Sequence, residues 1–388
     1  GIISSIGTTV GENYNALLQN TPGISVISNI KTRHATNIMV GEIKLTNEEL
    51  VKQLNLPASN NYSRTAMLGV LAAKQAIADA NIKNITDCKT GLISATSVGG
   101  MDMTEKYYYD YFTEKEHQKY IDGHHGGDAT QKIAQQLGIT DFVTTISTAC
   151  SSSANAIMLG ARLIKAGKLD RVVVGGADCL SKFTINGFKT LMILSDTYCT
   201  PFDENRKGLN LGEAAAFLVL ESDEIVRKQN KKVLAYVSGY GNANDAFHQT
   251  ASSENGEGAT LAMQKAFKVA GILPEQIDYI NAHGTATSNN DLSESKAIQR
   301  VFGSDIPDLS STKSFTGHTL AAAAAIEAVY AILALQHQVV FPNLNFKTAI
   351  KETGIVPISK LKEKNIQHVL SNSFGFGGNC STLIFSKN

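Results

Sequence analysis

Residues Asp141–Lys165 read DFVTTISTACSSSANAIMLGARLIK, a stretch that admits few local folds. It opens on the β-formers Phe142, Val143, Thr144, Thr145 and Ile146. Small residues then lead to Cys150, three serines follow, and Ile157, Leu159, Leu163 and Ile164 continue as a helix-like apolar run. The pattern is strand, tight turn and helix, with a thiol at the turn. A thiol there meets the unpaired N–H groups and the positive dipole end of the helix. Both favour the thiolate, which is the nucleophile. The same N–H groups suit an oxyanion formed by attack on a carbonyl. A cysteine that merely packs fits the same description, so Cys150 alone does not choose a chemistry.

The rest of the chain repeats this grammar. Short apolar runs read as buried strands at Gly91–Thr96, Arg171–Gly176, Ala214–Leu220, Leu234–Gly239, Ile277–Asn281, Ile366–Asn372 and Ser381–Phe385. Between them, helical spacing covers Gly11–Leu18, Arg64–Asn81, Thr130–Leu137, Ala259–Ala270 and a small-residue helix Ala321–Leu335. The remainder of residues 1–60 reads as irregular surface. Residues 101–125, with Tyr107, Tyr108, Tyr109 and Tyr111, read as an excursion. Strands alternating with helices predict a layered α/β protein. The charged break Lys228–Lys232 divides it into residues 1–230 and 231–388. No short-period repeat is visible, and periodicity alone does not show whether the halves are duplicates.

Composition removes several function classes. Lysine plus arginine equals aspartate plus glutamate, 35 each, so no global charge draws the chain to nucleic acid or membrane. No apolar run approaches the ~20 residues that span a bilayer. The five cysteines, Cys88, Cys150, Cys179, Cys199 and Cys380, are scattered and form no CxxC pair. That argues against a disulfide framework or a zinc site and suits a reducing cytoplasm.

Three further segments could carry chemistry. His283 lies in Asn281-Ala-His-Gly-Thr-Ala-Thr287, just beyond a strand, where α/β folds place their sites. His318 ends Ser311-Thr-Lys-Ser-Phe-Thr-Gly-His318, directly before the Ala-rich helix, and a helix N-terminus favours neutral imidazole. Lys313 lies five residues before it. Ser373-Phe-Gly-Phe-Gly-Gly-Asn379 is a glycine-dense loop between two strands. Neither GxxxxGK[ST] nor GxGxxG opening a βαβ unit occurs, which discounts a nucleotide site. The loop suits backbone N–H groups approaching a substrate carbonyl, with Phe374 or Phe376 as an apolar lid. One thiol, two histidines and one glycine loop make a cysteine acyl-transfer constellation, and residue chemistry alone leaves hydrolase and transferase both open.

The motifs Thr148-Ala-Cys-Ser151, Asn281-Ala-His-Gly-Thr285, Ser311–His318 and Asn372-Ser-Phe-Gly-Phe-Gly-Gly378 together resemble the elongating β-ketoacyl-acyl-carrier-protein synthases, in family order over essentially the whole chain. The resemblance implies a thiolase-like fold of two similar halves in five layers, α-β-α-β-α, assembled as a homodimer. It implies that Cys150 takes an acyl chain as a thioester, and that malonyl carrier protein is decarboxylated and condensed with it. His283 and His318 then stabilise the enolate. The N–H groups of Cys150 and Phe376 form the oxyanion hole, and Phe376 gates the acyl pocket. Lys313 and Glu294 form an ordering ion pair. Thr285 and Thr287 contact the pantetheine arm. No metal and no resident cofactor is implied, since the substrates ride on the phosphopantetheine of an acyl carrier protein. The same likeness implies a first strand that begins several residues before Gly1.

Some positions depart from the family pattern. Met192 stands where better-known members carry a docking arginine. Leu54–Arg64 has one basic residue, Arg64, where they have several, although Lys189 and Lys207 could compensate. Leu209-Asn210 replaces Phe-Val, and Asn379-Cys380 replaces Thr-Asn. These bear on the partner and the acyl chain rather than on the reaction. A specialised type II polyketide or polyene synthase is the alternative within the family. A non-catalytic chain-length partner subunit is the alternative outside it, disfavoured by the retained Cys150, His283 and His318. A thiolase would need a second cysteine as base. Cys380 is the only candidate, and its sequence context puts it past the glycine loop.

Overall fold

The computed structural model describes residues 1–387. Two five-stranded sheets dominate it, and their strands are numbered here in chain order. β1 (Ile2–Ile3), β2 (Thr90–Ala95), β3 (Phe142–Ile146), β4 (Arg171–Asp178) and β5 (Ala214–Glu221) form the first sheet, in the order β1-β5-β4-β2-β3. β6 (Tyr236–Asn244), β7 (Tyr279–Asn281), β8 (Asp308–Ser310), β9 (His368–Gly375) and β10 (Asn379–Ser386) form the second, in the order β6-β10-β9-β7-β8. In the first sheet β4, β2 and β3 run parallel, while β1, β5 and β4 alternate in direction. In the second, β9, β7 and β8 run parallel, while β6, β10 and β9 alternate. The two halves therefore share one topology, strand for strand, which sequence periodicity did not show.

Helices Ser152–Lys165 and Ala323–His337 lie between the sheets and touch both. Arg64–Asp79 and Gly126–Leu137 cover the outer face of the first sheet, and Glu257–Ala270 and Ser288–Phe302 that of the second. The result is the five-layer thiolase-like arrangement. Helices on both faces leave β4 wholly buried, hence its unbroken run RVVVGG. The central Ala323–His337 helix is apolar nearly all round because it has no solvent face. Its alanines let both sheets approach. By length and composition Leu320–His337 could cross a membrane, contrary to the sequence expectation, but here it is the core.

Other expectations shift. β6 spans Tyr236–Asn244, not Leu234–Gly239. Its glycines obscure the pattern: a Cβ on Gly241 would lie 2.0 Å from the carbonyl oxygen of Ala262, so the helix Glu257–Ala270 rests on bare backbone. The supposedly irregular surface before residue 60 contains a hairpin, Ile24–Val26 with Met39–Gly41, and a helix Asn47–Leu54 opened by a Thr46/Glu49 capping box. The tyrosine-rich excursion folds as two short helices, Met101–Tyr107 and Lys115–Ile121, with Tyr107 stacked on Tyr120 at 4.2 Å.

β3 pairs only with β2, and all five of its residues are half-buried, so the strand before Cys150 is a sheet edge. Ala328 is fully buried in the middle layer. Ala328→Leu should overfill that layer and cost roughly 1–3 kcal/mol. Chemical denaturation of the two proteins measures it, and equal midpoints would mean that the layer has slack.

Candidate active site

The turn between β3 and the helix Ser152–Lys165 is drawn tight by its own small side chains. Ala149 adopts a left-handed φ of +52°, uncommon for a residue with a Cβ. Ser152 Oγ accepts from the Thr148 N–H at 2.8 Å and donates to the Ala149 carbonyl at 2.5 Å. The turn lifts Cys150 toward the second half of the molecule. There Gly375 comes so close that a Cβ would lie 2.9 Å from the Thr148 oxygen and 3.0 Å from the Cys150 nitrogen. The N–H groups of Phe376 and of Cys150 itself both approach the thiol.

A cavity of about 290 Å³ opens over this turn, lined among others by Cys150, His283, His318, Thr285, Thr287 and Phe376. The four sequence motifs thus meet in one place. The His283 and His318 rings stand perpendicular with centroids 5.4 Å apart. His318 Nδ1 accepts from the Leu320 N–H at 3.0 Å, which puts its proton on Nε2. His283 Nδ1 is buried without a hydrogen-bond partner. Phe376 stacks on Phe188 at 5.9 Å. The hydroxyls of Thr285 and Thr287 hydrogen-bond each other at 2.9 Å.

Electrostatics at the site differ from the sequence reading in two respects. Burial, partly opposed by the Lys313 charge and the Phe376 N–H, pushes the Cys150 thiol up to about 11, so the resting group is a thiol rather than a thiolate. Burial, then Lys313, depresses His318 to about 3, and burial, Lys313 and His318 hold His283 well below the usual imidazole range. Both rings are neutral at physiological pH. The cause is burial and a neighbouring cation; the helix end does not enter, since a 3₁₀ turn, Leu320–Ala322, separates His318 from the helix proper.

The expected Lys313–Glu294 ion pair is not formed. Lys313 Nζ bonds Glu327 instead. Glu294 accepts from the backbone N–H groups of His283 at 2.9 Å and Gly284 at 2.8 Å, so it holds the histidine turn. Burial, opposed by those N–H groups, pushes Glu294 up to about 7. Glu327 was overlooked in the sequence although a signal existed: it is the one charged side chain in the apolar run Ala321–Leu335, and a buried charge needs a partner. Asp178, fully buried at the carboxyl end of β4, was overlooked too.

The departures from the family pattern also find their places. Arg64 is no docking residue: it is buried and donates to Glu213 through Nε at 3.0 Å and an η nitrogen at 2.7 Å. Met192 is 88% exposed at the cavity mouth, near Lys207. Cys380 does line the cavity, from β10, contrary to its expected position past the loop, but burial pushes its thiol far up.

Comparison with known proteins agrees with this geometry. Residues 1–225 match the family described as Beta-ketoacyl synthase, N-terminal domain, and residues 234–347 match Beta-ketoacyl synthase, C-terminal domain. The 3-oxoacyl-[acyl-carrier-protein] synthase 2 of Staphylococcus aureus (strain N315) is 33% identical over 402 residues, covering 100% of this chain and 96% of that protein. The ishigamide ketosynthase/chain length factor superposes with a TM-score of 0.93 at 29% identity, covering 100% of this chain and 97% of that one. A ketosynthase structure, AntDE:AntF, described as a type II PKS acyl-carrier protein in complex with its ketosynthase bound to the hexaketide, gives a TM-score of 0.89 at 25% identity, covering 100% and 98%.

With the thiol pushed up to about 11, alkylation of Cys150 by iodoacetamide should keep accelerating with pH beyond 9, where an unperturbed cysteine would be levelling off. Peptide mapping by mass spectrometry reads the rate. A plateau below pH 8 would show that the turn, not burial, controls the thiol.

Proposed function

The chain belongs to the β-ketoacyl synthase family, and from that premise we propose that it is an elongating 3-oxoacyl-[acyl-carrier-protein] synthase of type II fatty acid synthesis. The observation that carries the reading is the convergence of Cys150 with two neutral histidines in one cavity. In the first half-reaction the Cys150 sulfur, having lost its proton, attacks an acyl thioester. The Cys150 and Phe376 N–H groups receive the oxyanion, and the carrier's pantetheine thiol leaves. In the second, the malonyl C–C bond breaks, carbon dioxide departs, and the electron pair becomes an enolate. A neutral imidazole offers that enolate an N–H without first having to lose a proton; His318 holds its proton on Nε2 for this. The carbanion then attacks the Cys150 thioester and releases the sulfur. Thr285 and Thr287, paired at the cavity wall, suit contact with the pantetheine arm. Phe376 suits the role of gate.

No resident cofactor enters these steps. Carrier-borne substrates are supported by the AntDE:AntF likeness, in which the carrier protein sits with its ketosynthase. Five free cysteines suit a cytoplasmic setting. A specialised type II polyketide or polyene ketosynthase is a second reading. It is favoured by the likeness to the ishigamide ketosynthase/chain length factor and by an exposed methionine, Met192, at the cavity mouth. Incubation with a panel of fatty and polyketide acyl carrier proteins, followed by mass spectrometry of Cys150, separates the two.

Cys150→Gln should abolish condensation and leave or raise malonyl decarboxylation, because the amide imitates an acylated thiol. Adding His283→Ala or His318→Ala should then remove decarboxylation, at a cost of roughly 3 kcal/mol per lost donor. Decarboxylation that survives both histidine changes would refute their role.

The edge strand β3 suits pairing with its two-fold mate in a homodimer, which would cover an exposed edge and brace the Cys150 turn from behind. Val143→Asp or Thr145→Asp is expected to cost both assembly and turnover. Sedimentation that finds a fully active monomer at nanomolar concentration would reject this, and co-purification only with a homologous partner would favour the second reading.

A further inference from the structure

Asp178 is a fully buried carboxylate with no place in the steps above. It collects donors from both halves of the molecule. From the first, Thr96 Oγ1 donates at 2.5 Å and the Ser97 and Val98 N–H groups at 3.0 and 3.3 Å. Ser97 Oγ in turn reaches the Ala149 carbonyl of the nucleophile turn at 3.5 Å. From the second half, the Ala321 N–H donates to Asp178 Oδ2 at 2.8 Å.

Ala321 follows Leu320, and Leu320 is the residue whose N–H fixes the His318 ring. Leu320 has a left-handed φ of +54°. For a branched, non-glycine residue that conformation costs roughly 1–2 kcal/mol and persists only when its surroundings over-determine it. The next peptide N–H, tied to a buried carboxylate, supplies that restraint. Without it Leu320 relaxes toward negative φ and its N–H swings away from His318 Nδ1.

We propose that Asp178 is a positioning residue: through Ala321 it locks Leu320 in its left-handed turn, and so keeps the His318 proton on Nε2, facing the cavity. The link acts through backbone alone, since Asp178 does not touch the ring. Its benefit to catalysis rests on the role of His318 argued above, whereas its effect on the ring does not.

The test uses the full-length protein labelled with nitrogen-15 histidine, with the His318 signal identified by its loss in His318→Ala. The native protein should show one neutral tautomer with an unprotonated Nδ1. Asp178→Asn replaces one acceptor oxygen with an NH₂ that faces donors, and should leave His318 averaging between tautomers. Malonyl decarboxylation should then fall by at least roughly tenfold in kcat, less than the hundredfold or more of deleting a donor outright, with KM for malonyl carrier protein unchanged. Asp178→Asn combined with Leu320→Gly should recover the single tautomer, because glycine holds positive φ without a restraint. An unaltered His318 signal in Asp178→Asn, or a double variant no better than the single one, overturns the assignment. Should Asp178→Asn fail to fold, Asp178→Glu keeps the charge but displaces it, and a His318 signal that stays single there overturns it equally. A native protein that does not decarboxylate malonyl thioesters refutes the proposed function, while the ring signal still decides the role of Asp178.

Discussion

The buried ammonium of Lys313 is the charge around which the site is arranged. Burial alone works against this chemistry at the cysteine and for it at the histidines. It raises the Cys150 thiol, which has to ionise, and lowers His283 and His318, which have to stay neutral. A cation placed among them opposes burial at the thiol and reinforces it at both rings. No anion could do both. The cation is itself costly to bury, so Glu327 pairs with it from the central helix. That helix can carry a carboxylate because it lies between two sheets and has protein on every side.

Much of this was legible in the sequence for simple reasons. The Cys150 turn is local: β-formers, small residues and an amphipathic run lie within 25 positions, and they fold as the pattern requires. The same holds for His283 after β7 and for the glycine loop after β9. What sequence did not supply was pairing across distance. Lys313 had two acidic candidates, and assigning it to Glu294 ignored the carboxylate isolated in the alanine-rich run. Arg64 looked like surface charge because its partner, Glu213, lies 149 residues away. The helix Asn47–Leu54 was missed although its capping box is local, because a short helix shows too few apolar positions to establish a period.

The sign of the Cys150 shift has a different lesson. A helix N-terminus does favour a thiolate, and the Phe376 N–H and Lys313 both act in that direction here. They are outweighed because the thiol lies at the floor of a closed cavity, and position along the chain says nothing about cavity depth. The price of a site sheltered from water is a nucleophile that rests protonated.

The shared topology of the two halves extends to the backbone of the site. In the first sheet Ala95 pairs with Ile146 and Gly176; in the second, Asn281 pairs with Ser310 and Ser371. That register makes Thr96 the counterpart of Ala282, Ser97 of His283 and Val98 of Gly284. The hydrogen bonds agree: the Thr96 N–H donates to Ile146 as the Ala282 N–H does to Ser310. In each half the next two N–H groups then turn to a buried carboxylate, Asp178 for Ser97 and Val98, Glu294 for His283 and Gly284. The carboxylates come from different elements, a strand end in one half and a helix in the other, so the shared feature is the turn and its need for an acceptor. Two consecutive N–H groups at a buried strand end have no ladder partner and must be satisfied. In one half the satisfied turn presents an imidazole to the cavity. In the other it abuts the nucleophile turn, and its carboxylate has capacity left for the Ala321 N–H, so a structural requirement of the fold falls where it bears on His318.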